Sequence, residues 1–161
     1  MKGGAMLHAL LPAQADNSYA GRRGALWLLG LYVALKLVMG VNSIVNTATV
    51  AAGADGIPLD SFGPAAARTV LTLFALTALG QLSLALVGLA ALLRYRALVP
   101  LVFLLLVADQ LARRVIVQLR DVARHEGSVA AWYINMSLLA LLLIGLALSL
   151  IPRRGRGGEA A

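Results

Sequence analysis

The chain has 161 residues, of which 60% are hydrophobic, and its mean hydropathy is +0.84. So much apolar surface would be hard to keep soluble, whereas a bilayer core of about 30 Å accepts runs of roughly 20 apolar residues. The net charge of +7 comes from basic residues grouped between the apolar runs, a pattern typical of membrane orientation rather than of nucleic-acid binding. The chain has no Cys, and its two His lie outside the apolar runs, which argues against disulfides, a zinc site and bis-histidine haem.

The first 22 residues are predicted to be a cytoplasmic lead-in and not a cleaved signal peptide. Small residues at 13–15 resemble a cleavage site. The apolar stretch before them, however, is short and is interrupted by His8 and Pro12. The basic pair Arg22 and Arg23 then leads directly into a long apolar run.

Four apolar runs predict four membrane spans, at about residues 25–47, 69–93, 97–119 and 129–151. The strongly apolar part of the third run, residues 98–108, is too short to cross a bilayer alone, so the span must continue through Asp109. Asp55 and Asp60 lie in the loop before the second span and are interpreted as turn and helix-entry residues. The predicted fold is therefore all-α, a four-helix transmembrane bundle that forms a single membrane domain over residues 1–161.

The distribution of Lys and Arg predicts that both termini are cytoplasmic, so residues 1–22 and 153–161 are cytoplasmic tails. Eight basic residues fall on the terminal side and five towards the other, and cytoplasmic segments carry the excess of basic residues. The terminal side has Lys2, Arg22, Arg23, Arg94, Arg96, Arg153, Arg154 and Arg156, and the other side has Arg68, Arg113, Arg114, Arg120 and Arg124.

The third span is predicted to continue beyond the membrane as a helix that is polar on one face. At 100° per residue, Asp109, Arg113, Arg120 and Arg124 fall within about 60° of one another. Two interpretations remain open for this face. It is either a solvated, salt-bridged helix end or an amphipathic surface that lies against the outer leaflet or a partner protein.

Charged and amide side chains inside the spans define the one candidate site. Lys36 and Asp109 lie at similar depths, about eleven and twelve residues from the inner ends of their spans, and Gln81 also falls near the midplane. Because a lone charge at the bilayer centre costs at least about 2.5 kcal/mol, Lys36 and Asp109 are predicted to approach within direct or water-mediated ion-pair distance, with Gln81 close enough to hydrogen-bond one of them. The candidate buried polar site comprises Lys36, Asp109, Gln81, Asn42, Asn46, Asn135 and Arg113.

Three alternatives compete with a Lys36–Asp109 pair. Lys36 could extend its side chain to an interface. Asp109 could instead pair with Arg113, one turn along its own helix. Either group could be neutral because desolvation shifts its pKa. If the pair forms, it serves either the structure of the bundle or a transport or sensing function.

The plan of four compact spans, short loops and an Arg-rich tail resembles small bacterial inner-membrane proteins of the DoxX-like kind. The resemblance covers the architecture of the four-span region and no motif, so it transfers no functional residue. It implies a multi-pass protein of the bacterial inner membrane. The heavy use of Ala, Leu, Gly and Arg is compatible with a GC-rich bacterial genome.

These features predict a non-enzymatic integral membrane protein, an accessory or interaction subunit of a membrane assembly. The alternative is a small transporter or proton-coupled sensor that uses Lys36 and Asp109. An enzyme ranks third, because Asp109 is the only acidic residue within a predicted span. The expected partners are the lipid bilayer and other membrane proteins or further copies of the chain, with no nucleic acid, metal or cofactor.

Overall fold

The architecture was obtained as a computed structural model, which describes residues 10–120 and 129–152. This part of the chain is helical and contains no strand. Its helices are α1 (Arg23–Val45), α2 (Thr47–Gly53), α3 (Pro64–Leu93), α4 (Val99–Leu119) and α5 (Val129–Leu150), with short 3-10 turns at Leu59–Ser61 and Arg96–Leu98.

Each predicted span coincides with one of the four long helices, and the ends agree within two residues except at the start of α3. That helix begins at Pro64, five residues earlier than predicted, because Gly63 is extended and the fixed φ of proline suits the first helical position. The short helix α2 was not predicted. Asn46 leaves the helical conformation, with φ −109° and ψ 42°, so α1 ends there and the chain restarts as α2.

Three helices, α1, α3 and α5, are long and apolar enough to cross a membrane. Helix α4 has 21 residues, which corresponds to about 31 Å. Its composition differs from that of the three apolar helices, because every 18-residue stretch of α4 contains the charged residues Asp109, Arg113 and Arg114. The described residues therefore form an all-helical fold. Its three long apolar helices indicate a membrane protein.

The core lies where α1 packs against α3 and α5 and where α4 packs against α5. Leu29, Phe103 and Leu142 are completely buried at its centre. Small residues bring the helices close at two points. Gly88 of α3 lies under Val33 of α1, and Gly145 of α5 lies under the ring of Phe103. These contacts leave no space for an added Cβ unless a neighbour moves.

The segment before α1 lies across one end of the bundle. The Arg22 N–H donates to the Leu148 carbonyl at 3.2 Å, and the Ala97 N–H donates to the Asp16 carbonyl at 3.2 Å. Tyr19 is partly covered there, and burial raises the pKa of its phenol to about 12. Residues 16–22, the α3–α4 connection and the end of α5 therefore lie at the same end of the molecule.

The opposite end contains the predicted turn at Asp55-Gly56. Gly56 has a φ of 65°, in the left-handed region that glycine adopts without the steric penalty of a Cβ. At this end α4 stops at Leu119, and Arg120 lies in a turn. The predicted extension of this helix through Arg124 lies outside the described residues, so both interpretations of its polar face remain predictions.

Candidate functional site

Lys36 is buried near the middle of α1, with 8% of its surface exposed. Its Nζ donates a hydrogen bond of 3.2 Å to Oε1 of Gln81 on α3. The same Nζ lies 5.9 Å from the centroid of the Tyr32 ring, one turn earlier on α1, within the range of a cation–π interaction. A neutral amide and an aromatic face are therefore the groups that contact this lysine directly.

Asp109 pairs with Arg113 one turn further along α4. The Arg113 Nε lies 3.0 Å from Oδ1 and 2.9 Å from Oδ2 of the carboxylate, and about a third of each side chain is exposed. A charge-assisted contact of this kind is roughly twice as strong as a hydrogen bond between neutral groups. The pair joins two charges of opposite sign within one helix.

Lys36 and Asp109 were predicted to form a direct or a water-mediated pair, and the direct form is absent. No contact within 4.0 Å joins them, and Asp109 instead takes the partner that the second alternative named. The physical reason is proximity. Side chains four residues apart on a helix are neighbours whatever the packing of other helices, whereas a pair between α1 and α4 requires both helices to present these residues to each other.

Lys36, Gln81 and Asp109 nevertheless line one cavity. It also contacts Tyr32, Leu84, Ala85 and Leu106, and its volume is about 10 Å³. This is about the space that one water molecule needs, and such a site must also supply two to four polar partners. The cavity satisfies both conditions, so it can hold a single water beside Lys36 and Asp109.

The other predicted members of the site do not reach the cavity. Asn42 and Asn46 are exposed, and the Asn46 Nδ2 donates to the Asn42 Oδ1 at 2.7 Å. The prediction that they face the bundle was wrong, because α1 ends at Asn46 and Asn42 lies 120° around the helix from Lys36. The Asn135 amide donates to the Ala131 carbonyl of its own helix at 3.0 Å and so does not join two helices.

Two polar residues of α4 escaped the sequence prediction. Arg114 reaches α5, where its Nη2 donates to the Asn135 carbonyl at 3.2 Å and its Nη1 lies 3.4 Å from the Met136 sulfur. Gln110 is buried, and its Nε2 has no hydrogen-bond partner within the described residues. The available signal was the run of four polar residues among six at positions 109–114, which marks the polar part of the helix without assigning partners.

Comparisons with protein-family models, with curated proteins and with solved structures find no match to this chain. Its function therefore has to be inferred from the residues themselves.

Proposed function

We propose that this chain is a non-enzymatic, four-span protein of the bacterial inner membrane that acts as an accessory or interaction subunit of a membrane assembly. In this proposal α4 is the fourth span, and its charged residues are compensated by the Asp109–Arg113 pair and by the contacts of Arg114 with α5. The proposed four-span plan resembles that of the small DoxX-like membrane proteins.

The exposed face of α3 is the observation that carries the proposal. Only 11% of the most apolar window of this helix is buried within the chain. Its exposed side carries Thr69, Thr72, Gly80 and Ser83 along one stripe. Exposed large apolar residues, Leu73, Leu76 and Val87 among them, lie between and beside these small and polar positions. A Cβ added at Gly80 would have nothing within 4 Å.

Such a surface favours another helix over lipid. Small residues let two backbones approach closely, and in a bilayer this packing drives association because lipid tails are as apolar as leucine. The hydroxyls of the stripe already bond within α3, as Thr72 does to the Arg68 carbonyl at 2.9 Å and Ser83 to the Leu79 carbonyl at 3.0 Å. A partner helix can therefore cover them without leaving an unsatisfied polar group.

Replacing Gly80 and Ser83 together with Leu is expected to remove the co-purifying component when the tagged chain is extracted from native membranes. The two larger side chains would separate the backbones. The matched control is Gly53→Leu, because Gly53 also has nothing within 4 Å of an added Cβ but lies on α2. If the Gly80/Ser83 variant and the control retain the same component equally, α3 is not the interaction surface.

The orientation part of the proposal predicts that a Cys at position 157 is protected from an impermeant thiol reagent in intact cells. The basis is the excess of Lys and Arg on the terminal side. Ser61→Cys, in the exposed loop at the opposite end, is expected to react, and the absence of native Cys makes each site unique. Labelling of position 157 from outside together with protection of position 61 would reverse the orientation.

The cavity favours a second candidate function, a small transporter or proton-coupled sensor. It combines a lysine, a carboxylate, an amide and a phenol within apolar helices, and intramembrane ionisable groups commonly mark ion or proton paths. This function ranks second because the cavity has space for only about one water molecule. A conformation in which water reaches Lys36 from one end of the bundle would favour it.

A further inference from the structure

The lipid-facing side of α1 carries a regular seam. Leu31, Leu35, Val38, Asn42 and Val45 follow the alternating spacing of four and three residues that is typical of two helices packed along their length. All five are exposed, Val38 and Val45 by 71% and 73%, so none of the helices described for this chain covers the seam. The apolar members of the seam alone would suit lipid equally well.

Asn42 and its partner Asn46 distinguish this seam from an ordinary lipid-facing surface. The hydrogen bond between them uses one donor and one acceptor. Within the part of the chain that the structure describes, the Asn42 Nδ2 and the Asn46 Oδ1 have no partner. Asn42 lies three residues before the end of α1, inside the apolar run, where unsatisfied hydrogen-bonding groups are costly.

The Asn42 amide is complementary to a second copy of itself. Its Nδ2 is an available donor, and its Oδ1, which accepts from the Asn46 Nδ2, keeps a second lone pair. Two copies inserted in the same orientation are related by an axis along the membrane normal, which brings equal levels together, so Asn42 of one copy faces Asn42 of the other. Each Asn42 Nδ2 can then donate to the Asn42 Oδ1 of the other copy, and two hydrogen bonds close the interface.

We propose that the chain forms a homodimer by parallel pairing of α1, with Leu31, Leu35, Val38, Asn42 and Val45 as the seam and the two Asn42 amides bonded across it. This surface is separate from the exposed face of α3. The homodimer does not depend on a partner at α3, and the α3 interaction does not depend on the homodimer.

Cysteine cross-linking of the full chain in native membranes tests the homodimer. Val38→Cys, at the centre of the seam, is expected to give a disulfide-linked dimer on oxidation. Leu111→Cys is the control, because Leu111 is 44% exposed on α4, outside both proposed surfaces. It lies two residues beyond Asp109, as Val38 lies two residues beyond Lys36, and Asp109 and Lys36 line the same cavity, so the two positions are at a similar level. It is expected to remain monomeric. Absence of the Val38→Cys dimer, or equal cross-linking of Leu111→Cys, would overturn the proposal.

The role of the amides is tested in the same Val38→Cys background. Asn42→Leu is expected to weaken dimerisation about fivefold or more, since interhelical hydrogen bonds in membranes contribute about 1–2 kcal/mol in model helices. Thr49→Leu, an exposed polar residue of α2 outside the seam, is expected to have no effect. Both variants should keep the helical circular dichroism of the parent chain, because neither residue is in the core. If Asn42→Leu leaves the amount of dimer unchanged, the assigned role of the Asn42 amide is overturned. The co-purification experiment on α3 does not depend on this result.

Discussion

Replacing Gly145 with Ala is expected to lower the free energy of unfolding by about 1–3 kcal/mol, the range for overpacking a filled core. The three atoms nearest to the added Cβ are all carbons of the Phe103 ring, so the Cβ would overlap this ring. Phe103 is completely buried in the main core cluster, so its ring has no space into which it can turn. The loss should appear as a lower unfolding midpoint in detergent.

Gly80→Ala provides the matched control for this substitution. It makes the same change within a helix, but nothing lies within 4 Å of the new Cβ. Alanine is also the better helix former, so the control should be neutral or slightly stabilising. Replacing the Phe103 ring with the smaller side chain of leucine (Phe103→Leu) should recover part of the stability that Gly145→Ala loses. If the two glycine variants unfold alike, α4 and α5 do not pack as described.

Replacing Asp109 with Asn is expected to destabilise the bundle by about 3 kcal/mol, because removal of one partner leaves a poorly solvated charge without compensation. Arg113 would lose its carboxylate, and Lys36 would face the same cavity with no anion lining it. Adding Lys36→Met to Asp109→Asn should recover part of the loss, since one of the two cations is then removed. Unfolding of the three variants in detergent measures the coupling.

Lys36→Met alone should cost less than Asp109→Asn, about 1–3 kcal/mol, because it leaves a neutral Gln81 oxygen without its donor rather than a charge without its partner. Arg94→Gln is the control, as it removes a positive charge at the end of α3, outside the apolar run. If the Asp109 and Lys36 losses simply add, the two residues do not interact through the cavity, and the transport or sensing function loses its main support.

Hydrophobic run lengths in the sequence determined the three apolar helices α1, α3 and α5, because an apolar stretch of about 20 residues has few alternatives to a helix in lipid. Counting residues at 1.5 Å each also placed Lys36, Gln81 and Asp109 at one level, where the structure has a cavity between them. These properties depend on composition and position along the chain and need no knowledge of how the helices are rotated.

Only the tertiary structure decided which polar groups meet. Whether Asp109 takes Arg113 or Lys36 depends on the rotation of α4 relative to α1, and the hydrophobicity around α1 is too uniform to specify how that helix is rotated. The exposure of Asn42 and the tight contact of Gly145 with Phe103 depend on the same rotations. In a bilayer, steric fit and hydrogen bonds between helices select these rotations, since lipid solvates every apolar face equally well.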